Sequence, residues 1–201
     1  VLLQNLNPLV NLIRVPKKPI ILMDEWESKI KAIVENTWNK DVNSLSGVPS
    51  WMLVLIKAVL KKTGREYLTD VWPNLEVFFH GGISFEPYRE QYKTLIPSNK
   101  MHYMETYNAS EGFFGLQDDP TDSSLLMMPD YGIFYEFIPM NEVGNAHPTV
   151  LPLESVETGK NYAMVITTSG GLWRYQIGDT VRFTSLFPHK FVISGRTKHF
   201  I

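Results

Sequence analysis

The chain changes its hydrophobic period once, near Gln117, and that change constrains its fold more than any other feature. Before it, apolar residues recur at spacings of three and four, which gathers side chains on one face of a helix. Trp26, Ile30, Ile33, Val34 and Trp38 form one such face, with Asp24 and Glu27 placed as a capping box ahead of it. Met52, Leu53, Ile56, Val59 and Leu60 form a second, bounded by Pro49 near its first turn and Gly64 just past its end. Leu75–His80 then reads as a buried strand stopped by Gly81-Gly82. A helix is expected from about Pro87 to Leu95, with another strand over Lys100–Glu105. Strand, helix, strand in that order implies a parallel βαβ unit.

Beyond Gln117 the chain reads as short strands. Asp118-Asp-Pro-Thr-Asp122 is turn chemistry. Leu125–Met128 and Ile133–Ile138 read as paired strands around Pro129-Asp-Tyr-Gly132, and Tyr162–Thr168 and Leu172–Ile177 as a hairpin around Thr168-Ser-Gly-Gly171. Thr180–Thr184 and Lys190–Ser194 add two more. The expected fold class is α/β: a βαβ-type sheet with flanking helices over 1–117, followed by an antiparallel, barrel-like β portion over 118–201.

Three function classes lose support at once. A net charge of −2 argues against a general nucleic-acid binder, which carries a basic excess. No apolar run approaches the roughly 20 residues of a membrane-spanning helix, and no basic segment precedes the apolar patches of Val1–Ile13, so neither a membrane anchor nor a signal peptide is expected. The absence of cysteine excludes disulfides, zinc-thiolate sites and thiol catalysis, and fits a reducing, cytoplasmic setting. Both ends interrupt a pattern, so the chain is expected to be a fragment of a longer protein.

The chemistry gathers in Thr106-Tyr-Asn-Ala-Ser-Glu-Gly-Phe-Phe-Gly115, at the carboxyl end of the strand expected over Lys100–Glu105. Tyr107, Ser110 and Glu111 offer a ring that can stack on a base, a hydroxyl for a phosphate oxygen and a carboxylate for Mg²⁺, a hard cation that prefers oxygen. Ligands of open α/β sheets collect at such strand ends. Further on, Trp173-Arg-Tyr-Gln-Ile-Gly-Asp179 ends in a carboxylate able to accept from both hydroxyls of a ribose, and Ser194-Gly-Arg-Thr-Lys198 offers a guanidinium to phosphate or ribose oxygens. In isolation, Gly178-Asp179 is more commonly a turn between two strands, and Gly195-Arg196 an exposed basic strand end.

In this order the three motifs resemble those of the adenylate-forming enzymes, whose signatures run Tyr-x-x-Ser/Thr-Glu, Tyr-Arg-x-Gly-Asp and Gly-Arg-x-Asp/Lys. Gly47-Val-Pro-Ser-Trp51 and the run from Trp72 to Tyr88 make the chain most similar, within that superfamily, to bacterial members of the GH3 family, the auxin-responsive acyl-acid amido synthetases. The resemblance implies part of the large adenylation domain, with the phosphate loop upstream and a mobile carboxyl-terminal domain downstream of this stretch. It places Tyr107 against adenine, Ser110 on the α-phosphate, Glu111 on Mg²⁺, Asp179 on the ribose hydroxyls and Arg196 on ribose or phosphate. Lys198 falls at the hinge, and Gly81 and Gly82 edge an acyl pocket that Phe85 or Trp51 helps line. Where the family carries arginine this chain has Gln176, and Arg174, two residues earlier on the expected strand face, is a candidate substitute.

The implied activity is ATP- and Mg²⁺-dependent joining of a small carboxylic acid to an amino acid, by an enzyme of which the fragment alone would be inactive. The alternatives are an acyl-CoA ligase type of adenylating enzyme and a non-catalytic nucleotide-binding module.

Overall fold

In a computed structural model, residues 7–197 are described; Lys198 lies outside them. The chain divides into two compact units, Val1–Tyr103 and Met104–Ile201.

The first unit opens with two single-turn helices, α1 (Val10–Ile13) and α2 (Lys18–Ile21), then α3 (Trp26–Thr37). The cap of α3 is Glu25, whose carboxylate accepts from the N–H groups of Glu27 at 2.8 Å and Ser28 at 2.6 Å; the expected pair of Asp24 and Glu27 does not form it. The buried face of α3 is Val34 and Thr37 with Ile30 packed beside them, whereas Trp26 and Trp38, expected there too, are 44% and 39% exposed. A strand, β1 (Ser44–Gly47), leads into α4 (Pro49–Thr63), whose limits and apolar face are those expected. Pro49 sits in its first turn, where no N–H is needed, and Gly64 ends it at φ 66°, its N–H on the Leu60 carbonyl at 2.9 Å.

β2 (Val77–Gly81) lies parallel to β1, Ser44 opposite Val77 and Gly47 opposite His80. β1–α4–β2 is therefore a βαβ unit that precedes the strand, helix and strand the spacing suggested; it was not expected because β1 is too short and polar to stand out. α5 (Arg89–Leu95) follows within the expected limits, β3 (His102–Ala109) runs past the expected end at Glu105 into the motif, and the His102 N–H joins the heads of β3 and β2 through the Glu76 carbonyl at 2.7 Å. Trp72, 2% exposed, anchors the core by donating its indole N–H to the Thr37 carbonyl at 3.1 Å. Tyr92 stacks on Phe78 at 5.1 Å and gives its hydroxyl to the Pro49 carbonyl, so the largest buried rings keep their polar ends satisfied.

The second unit is an antiparallel sheet. After β3 come β4 (Gly112–Gln117), β5 (Leu125–Met127), β6 (Ile133–Pro139), β7 (Leu151–Pro152), β8 (Asn161–Thr168), β9 (Tyr175–Leu186) and β10 (His189–Arg196), in the spatial order β3-β4-β5-β10-β9-β8-β6-β7. The order is linear and the sheet does not close, so the barrel-like expectation is corrected. β7 is only Leu151–Pro152, and Pro152 has no N–H with which to continue a ladder. The expected pairing of Leu125–Met128 with Ile133–Ile138 is also absent. Both edges of β5 are taken, by β4 and β10, and β6 pairs with β8 and β7. Phe114, Phe137, Met164, Ile166, Val181 and Phe191, each fully buried, form the core on one face.

Candidate functional site

The motif strand β3 carries Tyr107, Asn108 and Ala109, and Ser110-Glu111 is the two-residue turn that returns it into β4, with Ala109 opposite Gly112. Ser110 is exposed and Glu111 half-buried at this tip. The glycines that follow are packing positions. A Cβ on Gly115 would stand 3.0 Å from the Leu126 carbonyl oxygen and 3.0 Å from the Phe191 ring, and one on Gly112 would stand 2.6 Å from Ile133 Cδ1.

Gly178-Asp179 is not a turn. β9 runs unbroken from Tyr175 to Leu186, merging two strands that the sequence suggested were separate. The break in hydropathy is a bulge. Val165 and Ala163 of β8 face Gln176 and Thr180 of β9, so the β9 side holds extra residues at 177–179, and Gly178 takes φ 90°. A bulge of this kind re-aims a side chain within a ladder. Here it delivers Asp179 to Tyr107, whose hydroxyl donates to Oδ2 at 2.7 Å, and to Arg196, whose Nε donates to Oδ1 at 2.9 Å. Arg196 is the last residue of β10, opposite Asp179 in register. Thr197, which follows Arg196 in the third motif and was assigned no role from spacing, closes the corner: its N–H and hydroxyl both reach the Gly178 carbonyl, at 2.8 and 3.2 Å.

The three groups differ in exposure. Tyr107 is 6% exposed, its ring 4.9 Å from Phe114 and 6.1 Å from Phe191 between centroids. The Asp179 side chain is 13% exposed and that of Arg196 65%. Burial above all, then the hydrogen bond and charge of Asp179, push the Tyr107 phenol far above its ordinary range, so it stays a protonated donor. Arg174 does not join them. It precedes β9 in left-handed backbone at φ 46°, with Nε on Glu136 Oε2 at 3.0 Å, and the substitute role expected of it gains no geometric support.

The other expected site residues lie in the first unit. Gly81 ends β2, and Gly82 turns the chain at φ 81°. Phe85 is 4% exposed and stacked on His80 at 4.3 Å and on Tyr103 at 4.9 Å, a core position, while Trp51 is 62% exposed on α4. Among the described residues no cluster of three or more histidines or carboxylates could hold a metal by itself, and no helix is long and apolar enough to cross a membrane.

The fold is shared with solved structures of acyl acid amido synthetases and acyl-CoA ligases. It is similar to a GH3.15 acyl acid amido synthetase, with a TM-score of 0.70 at 18% identity over 89% of this chain and 42% of that one. It is also similar to a 2-hydroxyisobutyryl-CoA ligase, with a TM-score of 0.61 at 14% identity over 86% of this chain and 40% of that one. Within that class the sequence is specific. Residues 2–101 match the GH3 family N-terminal domain and residues 126–196 the GH3 family central domain. The chain belongs to the GH3 family. It is 30% identical over 170 residues to the indole-3-acetic acid-amido synthetase GH3.4 of Arabidopsis thaliana, covering 79% of this chain and 27% of that protein. To the indole-3-acetic acid-amido synthetase GH3.8 of Oryza sativa subsp. indica it is 37% identical over 128 residues, covering 58% and 20%. The chain thus spans 27% and 20% of those relatives' length. The residues between the two matched stretches, 102–125, include the Tyr107–Glu111 motif.

Proposed function

We propose that the whole protein joins a small carboxylic acid to an amino acid at the expense of ATP, by way of an acyl-adenylate. The observation that carries this reading is the meeting of Tyr107 and Arg196 on the carboxylate of Asp179, which brings together residues from three separate motifs. Family membership supports the reaction class, since the relatives named above are amido synthetases.

The residues present fit a nucleotide. An ionised carboxylate accepts at about four positions and donates at none. Asp179 uses one position on each oxygen within the protein, leaving acceptor capacity on both for the two hydroxyls of a ribose. Arg196, largely in solvent, can turn its remaining N–H groups to ribose or phosphate oxygens. Ser110 at the exposed tip supplies a hydroxyl to the α-phosphate. Magnesium suits the site as well, because it takes one or two carboxylates and completes its shell with phosphate oxygens and water, which asks only for Glu111. When bound, the ion offsets charge on the phosphoryl oxygens.

The chemistry then needs alignment more than covalent help. An oxygen of the acid's carboxylate forms a bond to the α-phosphorus and pyrophosphate leaves. The amine of the amino acid next attacks the acyl carbon, losing a proton as AMP departs. Gly81, Gly82 and Phe85 belong to this proposal as edges of the acyl pocket, and Lys198 as the hinge. A cytoplasmic location belongs to it too, as the setting in which ATP is abundant.

The test is carboxylate-dependent exchange of pyrophosphate into ATP by the full-length protein. Glu111→Ala should largely abolish it, and undiminished exchange would remove Glu111 from the metal. The likeness to a CoA ligase fold favours one second reading, transfer to the thiol of coenzyme A. AMP release that depends on amino acids, and not on coenzyme A, decides between them.

A further inference from the structure

We propose that a cleft at the β6–β7–β8 margin of the second unit binds a free α-amino acid with an apolar side chain. The cleft is separate from the corner formed by Tyr107, Asp179 and Arg196, and the inference does not rest on the ATP-dependent reading.

The cleft encloses about 510 Å³, within the range of small-molecule pockets. It forms where β6 ends at Pro139 and β8 begins at Asn161, with Pro139 opposite Tyr162 in register. In the sheet order, β8, β6 and β7 lie beyond β9, on the side away from β10 and β3.

Two turns build its polar walls, and each is pinned. On one, Glu142 Oε2 accepts the Thr149 N–H at 2.6 Å and the Glu142 carbonyl accepts the Asn145 N–H at 3.1 Å. The bond from Thr149 holds the Glu142 carboxyl below its ordinary range, so it is ionised. Among the described residues no lysine or arginine pairs with it. On the other wall, Lys160 Nζ lies 2.6 Å from Glu157 Oε1, and the Gly159 N–H ties the turn to the Phe183 carbonyl at 2.9 Å. An ammonium has three donors, and Glu157 takes one of them. Beside Lys160 stands Tyr162, its ring 1% exposed and packed on Phe137 and Phe183. Its hydroxyl accepts the Glu157 N–H at 3.0 Å, and among the described residues its own proton has no acceptor.

One wall thus offers an anion without a cation, and the other offers spare donors that include a cation. A simple carboxylate would leave Glu142 uncompensated beside it. A simple amine would leave the protons of Lys160 and Tyr162 to water. A zwitterion answers both walls, its ammonium on Glu142 Oε1 and its carboxylate on Lys160 and the Tyr162 hydroxyl. Met140 and Leu151, also in the lining, give its side chain apolar surface. Because both turns are held by their own hydrogen bonds, little has to be ordered when the ligand arrives.

The test is a titration of the full-length protein labelled with [13C-methyl]methionine, with the Met140 signal assigned through Met140→Leu. L-Leucine should shift that signal with half-saturation at about 1–10 mM. 4-Methylpentanoate and 3-methylbutylamine keep the branched chain and one charged end each, and should bind at least about fivefold more weakly. Glu142→Gln keeps an acceptor for the Thr149 N–H and removes the charge, and Lys160→Met removes the ammonium from an exposed side chain. Each should weaken leucine binding about fivefold. No shift at about 50 mM leucine, an acid or amine that binds as well as leucine, or an unchanged leucine affinity in either variant overturns the proposal. The Met140 signal reports on the cleft whether or not the protein exchanges pyrophosphate into ATP, so failure here and failure of the ATP-dependent reading are told apart.

Discussion

Gly115→Ala tests how the motif is held in place. Gly115 is buried in β4, where an added Cβ would lie 3.0 Å from the Leu126 carbonyl oxygen and 3.0 and 3.1 Å from two carbons of the Phe191 ring. Comfortable carbon contacts lie at about 3.5–4.0 Å, so several tenths of an ångström must be found. The carbonyl belongs to β5, which is paired on both edges and cannot yield. The Phe191 ring is fully buried and packs the ring of Tyr107. Overpacking of this kind costs about 1–3 kcal/mol, while replacing glycine by alanine in a strand returns about 0.5–1 kcal/mol of backbone entropy. The net expectation is a loss of about 1–2 kcal/mol, read as a lower urea midpoint with an unchanged slope. Because the ring that moves supports Tyr107, ATP affinity should fall with it. Phe191→Leu removes one of the two contacts, so Gly115→Ala should cost less in that background than in the parent. A Gly115→Ala protein as stable as the parent, or a cost unchanged by Phe191→Leu, would refute the packing argument.

Further expectations concern charge. Burial foremost, then the charge of Arg89, bring His80 down to about 4 from 6.5, so the unfolded chain takes up a proton that the native state refuses. Stability should therefore be full above about pH 6.5 and decline towards pH 4, by at most about 3 kcal/mol, and urea midpoints of His80→Leu should be flat across that window. At lower pH, Asp122 adds a second decline. The Ser124 N–H and then Lys190 hold its carboxyl below the usual aspartate range, so its contribution is present above about pH 4 and lost as pH falls further. Asp122→Asn should remove part of that acid loss in the same titration. Lys190 lies 2.8 Å from Asp118 and 3.3 Å from Asp122, tying β10 to the turn between β4 and β5. Lys190→Met should lower the urea midpoint in low salt and by less in 1 M salt, where exposed pairs are screened; an equal loss in both would assign Lys190 a packing role instead.

Much of this was legible in the residues. Helix α4 announced itself through Pro49, Gly64 and an apolar face, because helix limits and amphipathic period are local properties. Three motifs in order pointed to the family for the same reason: side-chain chemistry and its order are written along the chain. Pairing is a different matter. Nothing in Leu125–Met128 says that its two edges belong to β4 and β10, since hydrogen bonds between strands depend on segments far away in sequence. Gly178-Asp179 reads as a turn by composition, and only the register of β8 and β10 against it makes it a bulge inside β9. Trp26 and Trp38 have the right spacing for a buried face yet lie at the surface, because period marks one side of a helix without saying how far its neighbours extend.

What the sequence determined by itself, then, is the inventory: where the main helices lie, which motifs the chain carries, and which family they define. The tertiary structure decided how that inventory is used. Tyr107 is separated from Asp179 by 72 positions and from Phe191 by a further strand and turn, and only folding could turn its hydroxyl towards the one while packing its ring against the other. Spacing records which groups are present, but the direction of a side chain is set by burial and by the partners that reach it in space.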